Sequence, residues 1–158
     1  MFSSLWDYSL AIYRTNQLPR LPILYSTRGH KDRCIEIHHA KVHKKGYFVT
    51  NGADRTIRIW HITKGKVRLL KVIRLKERVY SMAYLENYRL LAVVQSSKEV
   101  KFLSLLSGKI EKTLDLNLTS CVNVFFMKDK NAIGVVSSAE NAIRIVQLHG
   151  EEVKGHGK

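Results

Sequence analysis

The sequence predicts an all-β protein built from repeated four-stranded antiparallel sheets. Three observations predict it. First, the octet Ala53-Asp54-Arg55-Thr56-Ile57-Arg58-Ile59-Trp60 returns 43 residues on as Ser96-Ser97-Lys98-Glu99-Val100-Lys101-Phe102-Leu103, and after another 43 as Ala139-Glu140-Asn141-Ala142-Ile143-Arg144-Ile145-Val146. Each copy reads small, polar, polar, any, apolar, basic, apolar, apolar. Second, each copy sits in a unit of four short β-rich stretches, in which apolar and polar residues alternate as strands require. Third, no sustained i, i+3, i+4, i+7 spacing occurs, so nothing reads as an amphipathic helix.

In chain order, residues 1–27 read as the tail of a preceding unit, with Trp6-Asp7 at the end of its third strand. They lack the basic start and long apolar core of a signal peptide. No run anywhere approaches the ~18–20 apolar residues of a membrane-spanning helix. Residues 28–158 hold three units and the start of a fourth. In the first unit, strands fall at 35–42, 47–51, 56–62 and 67–75, separated by Lys45-Gly46, Ala53-Asp54-Arg55 and Lys64-Gly65. The strand before the octet keeps register through all copies, as Tyr47-Phe48-Val49, Leu90-Leu91-Ala92 and Ile133-Gly134-Val135. Gly65 and Gly108 close the turn after the octet, and Gly150 does so one residue early. Four strands per ~40–45 residues is the unit of a propeller blade. The expected architecture is a β-propeller fragment of about three four-stranded antiparallel blades plus part of a preceding one. Closed propellers carry ~4–8 blades. An arc of three exposes the apolar faces of its end blades, so more blades or a partner are expected to cover them. A fragment of a longer propeller and a truncated, nonfunctional product both fit that reading.

The first unit resembles the WD-repeat family. Gly29-His30 stands in place of that family's Gly-His pair, Asp54 lies six residues before Trp60, and Trp60-His61 replaces the Trp-Asp dipeptide. Thr50 fills the Ser/Thr position four residues before the Asp, and Gly155-His156 looks like the start of the next unit. The resemblance implies a structural tetrad, His30, Thr50, Asp54 and Trp60, hydrogen-bonded from strand to strand inside one blade. Such a buried chain is favourable only when every member is satisfied. The second unit offers Ser97 and Leu103, and the third Glu140 and Val146, so those blades are expected to rely on apolar packing. The resemblance also implies that Arg58, Lys101 and Arg144, recurring at period 43, are structural.

The net charge is +14, and its distribution is uneven. Residues 14–78 hold 17 Lys and Arg against four acids, a net +13, whereas residues 79–158 carry +2. A localised positive field attracts polyanions or acidic protein segments. Lys31, Arg33, Lys41, Lys44, Lys45 and Arg55 sit in or beside connections, with Arg33 and Arg55 expected at the same end of the first blade. Lys66, Arg68, Lys71, Arg74 and Lys76 fall on the fourth strand, where they either protect an exposed edge or flank a contact surface. The expected partner-binding set is Lys31, Arg33, Lys44, Lys45 and Arg55, forming one patch, with Lys66, Arg68 and Arg74 beside it.

Other chemistry finds little support. Cys34 and Cys121 match no metal or redox spacing and read as buried strand residues of a reducing compartment; a disulfide between them is the alternative. His30, His38, His39, His43 and His61 cluster in sequence, but adjacent His38 and His39 point to opposite faces of a strand, and no metal-ligand set emerges. The sequence has no Gly-x-Ser-x-Gly, phosphate loop or His-Glu-x-x-His. The expectation is a non-catalytic protein with no cofactor, intracellular in cytoplasm or nucleus. It holds partner proteins in a larger complex, and acidic segments are their electrostatic match. A basic subunit of an RNA-processing or ribosome-assembly particle is the rival reading. No membrane partner is expected.

Overall fold

The computed structural model describes residues 2–4, 9–13, 23–42, 45–63, 66–95 and 98–149. Among these lie four antiparallel sheets and no α-helix. The first sheet holds β1 (Phe2–Ser4), β2 (Ser9–Tyr13) and β3 (Ile23–Arg28). The second holds β4 (Cys34–Val42), β5 (Lys45–Gly52), β6 (Thr56–Thr63) and β7 (Lys66–Arg74). The third holds β8 (Ser81–Leu85), β9 (Leu90–Val94), β10 (Glu99–Ser104) and β11 (Ile110–Asp115). The last holds β12 (Cys121–Met127), β13 (Ala132–Ser137) and β14 (Ala142–Gln147). Every sheet is a meander in chain order. The sheets headed by β4, β8 and β12 are called blades one, two and three. Blade three has three strands among the described residues, one fewer than expected. Gly150 and Gly155-His156 lie outside them, as do Trp6-Asp7, in the connection between β1 and β2.

The blades pack face to face, and alternation along each strand supplies both faces. In β9, Leu90, Ala92 and Val94 join the core shared with blade three, whereas Leu91 and Val93 join the core shared with blade one. All five are buried, so a middle strand reads as a continuous apolar run. On the other face of blade one, Phe48 and Trp60 pack against Leu10 of the first sheet. Their rings stack nearly parallel at 5.7 Å.

The arrangement is radial. The first strands lie together, with β8 beside both β4 and β12, while β7 adjoins β3 at the other margin. Polar groups stitch the inner strands. Glu36 of β4 accepts hydrogen bonds from Ser81 Oγ (2.9 Å) and the Met82 N–H (2.7 Å), and Ser81 Oγ accepts from the Val124 N–H at 3.2 Å.

The repeat also governs the backbone. Left-handed φ recurs at Arg55 (61°) and Asn141 (48°), and at Arg89 (58°) and Asn131 (47°). Repeat-equivalent residues differ in burial. Ile57 and Ile59 in β6 are 0% and 4% exposed beneath blade two, whereas Ile143 and Ile145 in β14 are 62% and 59% exposed.

Candidate functional site

The tight turn after β5 places Asp54 beneath the segment that enters β4. Asp54 Oδ2 accepts from the Lys31 N–H at 2.8 Å. Its Oδ1 accepts from the Thr56 N–H (3.1 Å) and hydroxyl (2.7 Å) and lies 2.9 Å from His30 Nδ1. The other imidazole nitrogen, Nε2, is 2.7 Å from Thr50 Oγ1, which in turn accepts from Trp60 Nε1–H at 2.9 Å. One proton assignment satisfies every group: Trp60 donates to Thr50, Thr50 donates to Nε2, and Nδ1–H donates to Asp54. His30 is then neutral. Burial favours that state by pushing its pKa below 6.5, against the opposing pull of Asp54.

Asp54 is ionised. Burial alone would raise its pKa, but hydrogen bonds from Thr56, the Lys31 backbone and His30 outweigh it and bring it from 3.8 to about 2. Arg58 Nη2 adds an ion pair at 3.3 Å. Gly52 is required beneath this cluster, because a Cβ there would overlap the His30 ring and stand 2.8 Å from Asp54 Oδ1. The resemblance did not single out Thr56, and it gave Arg58 only a general structural role. The Asp-x-Thr spacing is the signal for Thr56, since Asp side chains bond the backbone two residues on.

The other units depart from the expected reliance on apolar packing alone. In blade two, Gln95 occupies the place of Gly52; it accepts from Lys101 Nζ at 2.9 Å and donates to Glu77 O at 3.0 Å. In blade three, Glu140 occupies the place of Asp54 and accepts from the N–H and hydroxyl of Thr119, both at 2.8 Å. A carboxylate at this turn can bond the facing connection without a histidine, so each unit keeps a polar tie.

The basic residues fall into two groups, which corrects the expectation of one patch. The Ala53 N–H donates to Arg33 O at 2.8 Å, and the Leu75 N–H to Arg55 O at 3.0 Å. Exposed Lys31, Arg33, Arg55 and Arg74 therefore share one end of blade one. Lys45 pairs with Val42 and Lys66 with Thr63 at the opposite end. The eight residues of β5 separate the two ends by roughly 25 Å. Lys44 and His43 lie outside the described residues. Arg68 is exposed on β7, opposite His61. The equivalent crossing from blade two to blade three, 116–120, carries no Lys or Arg.

Cys121 is buried, but Cys34, at the start of β4, is only half-buried, and its Sγ lies 3.6 Å from Glu36 O. His38 pairs with Glu36 at 3.5 Å. No group of three or more metal-ligating side chains occurs among the described residues, nor a helix long and apolar enough to cross a membrane.

No family model matches the chain, and no curated protein matches it. Solved structures do. The β-propeller domain of Cps50 (Swd1) from Myceliophteria thermophila superposes with a TM-score of 0.79 at 12% identity, over 94% of this chain and 49% of that one. The WD40 β-propeller domain of Doa1 superposes with a TM-score of 0.72 at 19% identity, over 96% of this chain and 47% of that one. The chain spans about half the length of these domains. Its fold is that of part of a WD40-type β-propeller, an arc of about three blades with a piece of the one before.

Proposed function

We propose that the chain is a non-catalytic scaffold and that the basic end of blade one holds an acidic segment of a partner protein. The observation that carries this reading is Arg55. It stands exposed in a left-handed turn conformation, which costs an L-residue roughly 1–2 kcal/mol. The third unit fills the same position with Asn141, a residue that tolerates it. Arg33 and Arg74 extend the charge on either side, and neither makes an ion pair among the described residues. The polar side chains of the buried strut are, by contrast, committed to one another. The location that suits this reading is intracellular, in cytoplasm or nucleus.

The test compares an acidic peptide's affinity for the parent with that for Arg33→Gln/Arg55→Asn and for the control Lys128→Gln/Lys130→Gln. The reading predicts a loss confined to the arginine pair, with stability unchanged or raised. Equal loss from both pairs would refute it. One observation favours RNA as a second reading: Arg78 lies 5.8 Å over the exposed Tyr80 ring at the same end, a pairing that suits a base beside a phosphate. Phosphate contacts would steepen the salt dependence by about 0.7 in log–log slope each.

A further inference from the structure

A cleft of about 150 Å³ opens where blades one and two meet, lined by Tyr47, Ile59, Leu70 and Lys71 of the first and Leu105 and Leu106 of the second. Its walls are apolar, although Leu70 is 52% and Leu106 59% exposed. The internal repeat shows that the fold does not demand either leucine. Leu70 is the unpaired bulge residue of β7, between the pairs Ile59–Lys71 and Trp60–Leu69. The same bulge in β11 carries Glu111, between Phe102–Lys112 and Leu103–Ile110. Leu106 follows β10 at the repeat position that holds Thr63 in the first unit and His149 in the third. Two polar positions of the repeat have thus become apolar where they face each other.

The cleft also holds an oriented cation. Lys71 Nζ donates to Leu106 O and Ser107 O, both at 2.8 Å. Those acceptors are neutral, and among the described residues Lys71 makes no ion pair, so its charge stays uncompensated at the rim. A cavity of this size takes a benzene-sized group, and few, well-placed polar groups orient what an apolar pocket binds.

We propose that this cleft binds a partner peptide in which an apolar anchor, Phe or Leu, stands beside an Asp or Glu. The anchor enters between Leu70 and Leu106, and the carboxylate meets Lys71. This deepens the scaffold reading by giving it a second, apolar contact on the opposite side of blade one from Arg55.

The probe is a fluorescein-labelled octapeptide with one Phe between aspartates. Two matched peptides replace Phe by Ala and Asp by Asn, and anisotropy with the full chain reads binding. The Phe peptide is expected to bind about tenfold more tightly than the Ala peptide. Leu70→Glu and Leu106→Thr, each introducing the residue another unit carries there, are expected to abolish that difference. Lys71→Met is expected to remove only the preference for Asp over Asn. Should Leu106→Thr fail to fold, Leu70→Glu on the exposed bulge still decides. A parent that does not distinguish Phe from Ala, or leucine variants that bind like the parent, would overturn the cleft. Binding lost only in Arg33→Gln/Arg55→Asn would also overturn it while leaving the scaffold reading standing.

Discussion

Thr50→Val is the sharpest perturbation of the buried strut. Valine has nearly the shape of threonine and suits a strand equally well, so the change removes a hydroxyl and little else. That hydroxyl serves two buried groups, accepting from Trp60 Nε1–H and donating to His30 Nε2. Neither has a substitute. The imidazole cannot turn to seek another partner because Nδ1 is held by Asp54 and by Thr56 Oγ1, 3.0 Å away. Each orphaned group costs about 1–3 kcal/mol, so the expected loss for the two is roughly 2–6 kcal/mol, a large fraction of a typical domain's stability. Urea melts followed by tryptophan fluorescence and circular dichroism measure it, with Thr50→Ser, which keeps the hydroxyl, as the control. In the Thr50→Val background, Trp60→Phe should cost less than in the parent, because the orphaned indole N–H is gone. A Thr50→Val protein as stable as the parent, with Thr50→Ser the weaker of the two, would refute the strut.

Trp60→Ala empties a buried site stacked on Phe48 and is expected to cost about 3–5 kcal/mol in the same melts. Gly52→Ala should destabilise strongly although it adds only a methyl, because that methyl meets the His30 ring; a neutral result would displace the ring from its assigned place. Ile57→Lys should unfold the protein, while the repeat-equivalent Ile143→Lys should leave the melting temperature nearly unchanged, as their burial differs completely. Acid should weaken the fold in two stages. His30 has a lowered pKa in the folded state, so the unfolded chain takes up its proton first, and stability falls as pH drops below about 6.5. Asp54 contributes stability that is present above its unfolded value of 3.8 and lost as pH falls towards about 2; screening near the turn surface leaves it worth roughly 1–2 kcal/mol. Denaturation at stepped pH should show Asp54→Asn lacking the second stage.

The architecture was legible because a 43-residue period and strict alternation determine both the strands and their faces. Ile57 and Ile59 point one way and Trp60 the other, as the period of two requires. The strut residues were legible through their spacing around one tight turn. The basic set was not. Lys45 and Arg55 are ten positions apart in sequence, but β5 carries the chain across the whole blade between them, so nearness in sequence becomes separation in space. The Leu70 bulge was equally hidden, since a run such as Val67-Arg68-Leu69-Leu70 shows two adjacent leucines without showing which one the register leaves unpaired. The tie made by Glu140 escaped because the spacing was read for a tetrad, and a carboxylate needs only a facing N–H and hydroxyl to do part of that work.

The conspicuous polar residues of blade one form a closed internal strut, with their hydrogen-bonding capacity committed to holding the blade. Nitrogen-15 NMR of the His30 imidazole tests it most directly. The strut requires a single neutral tautomer at pH 7, with the proton on Nδ1 and Nε2 unprotonated, and a titration midpoint below that of an exposed histidine. A mixture of tautomers in fast exchange, titrating near pH 6.5, would contradict it.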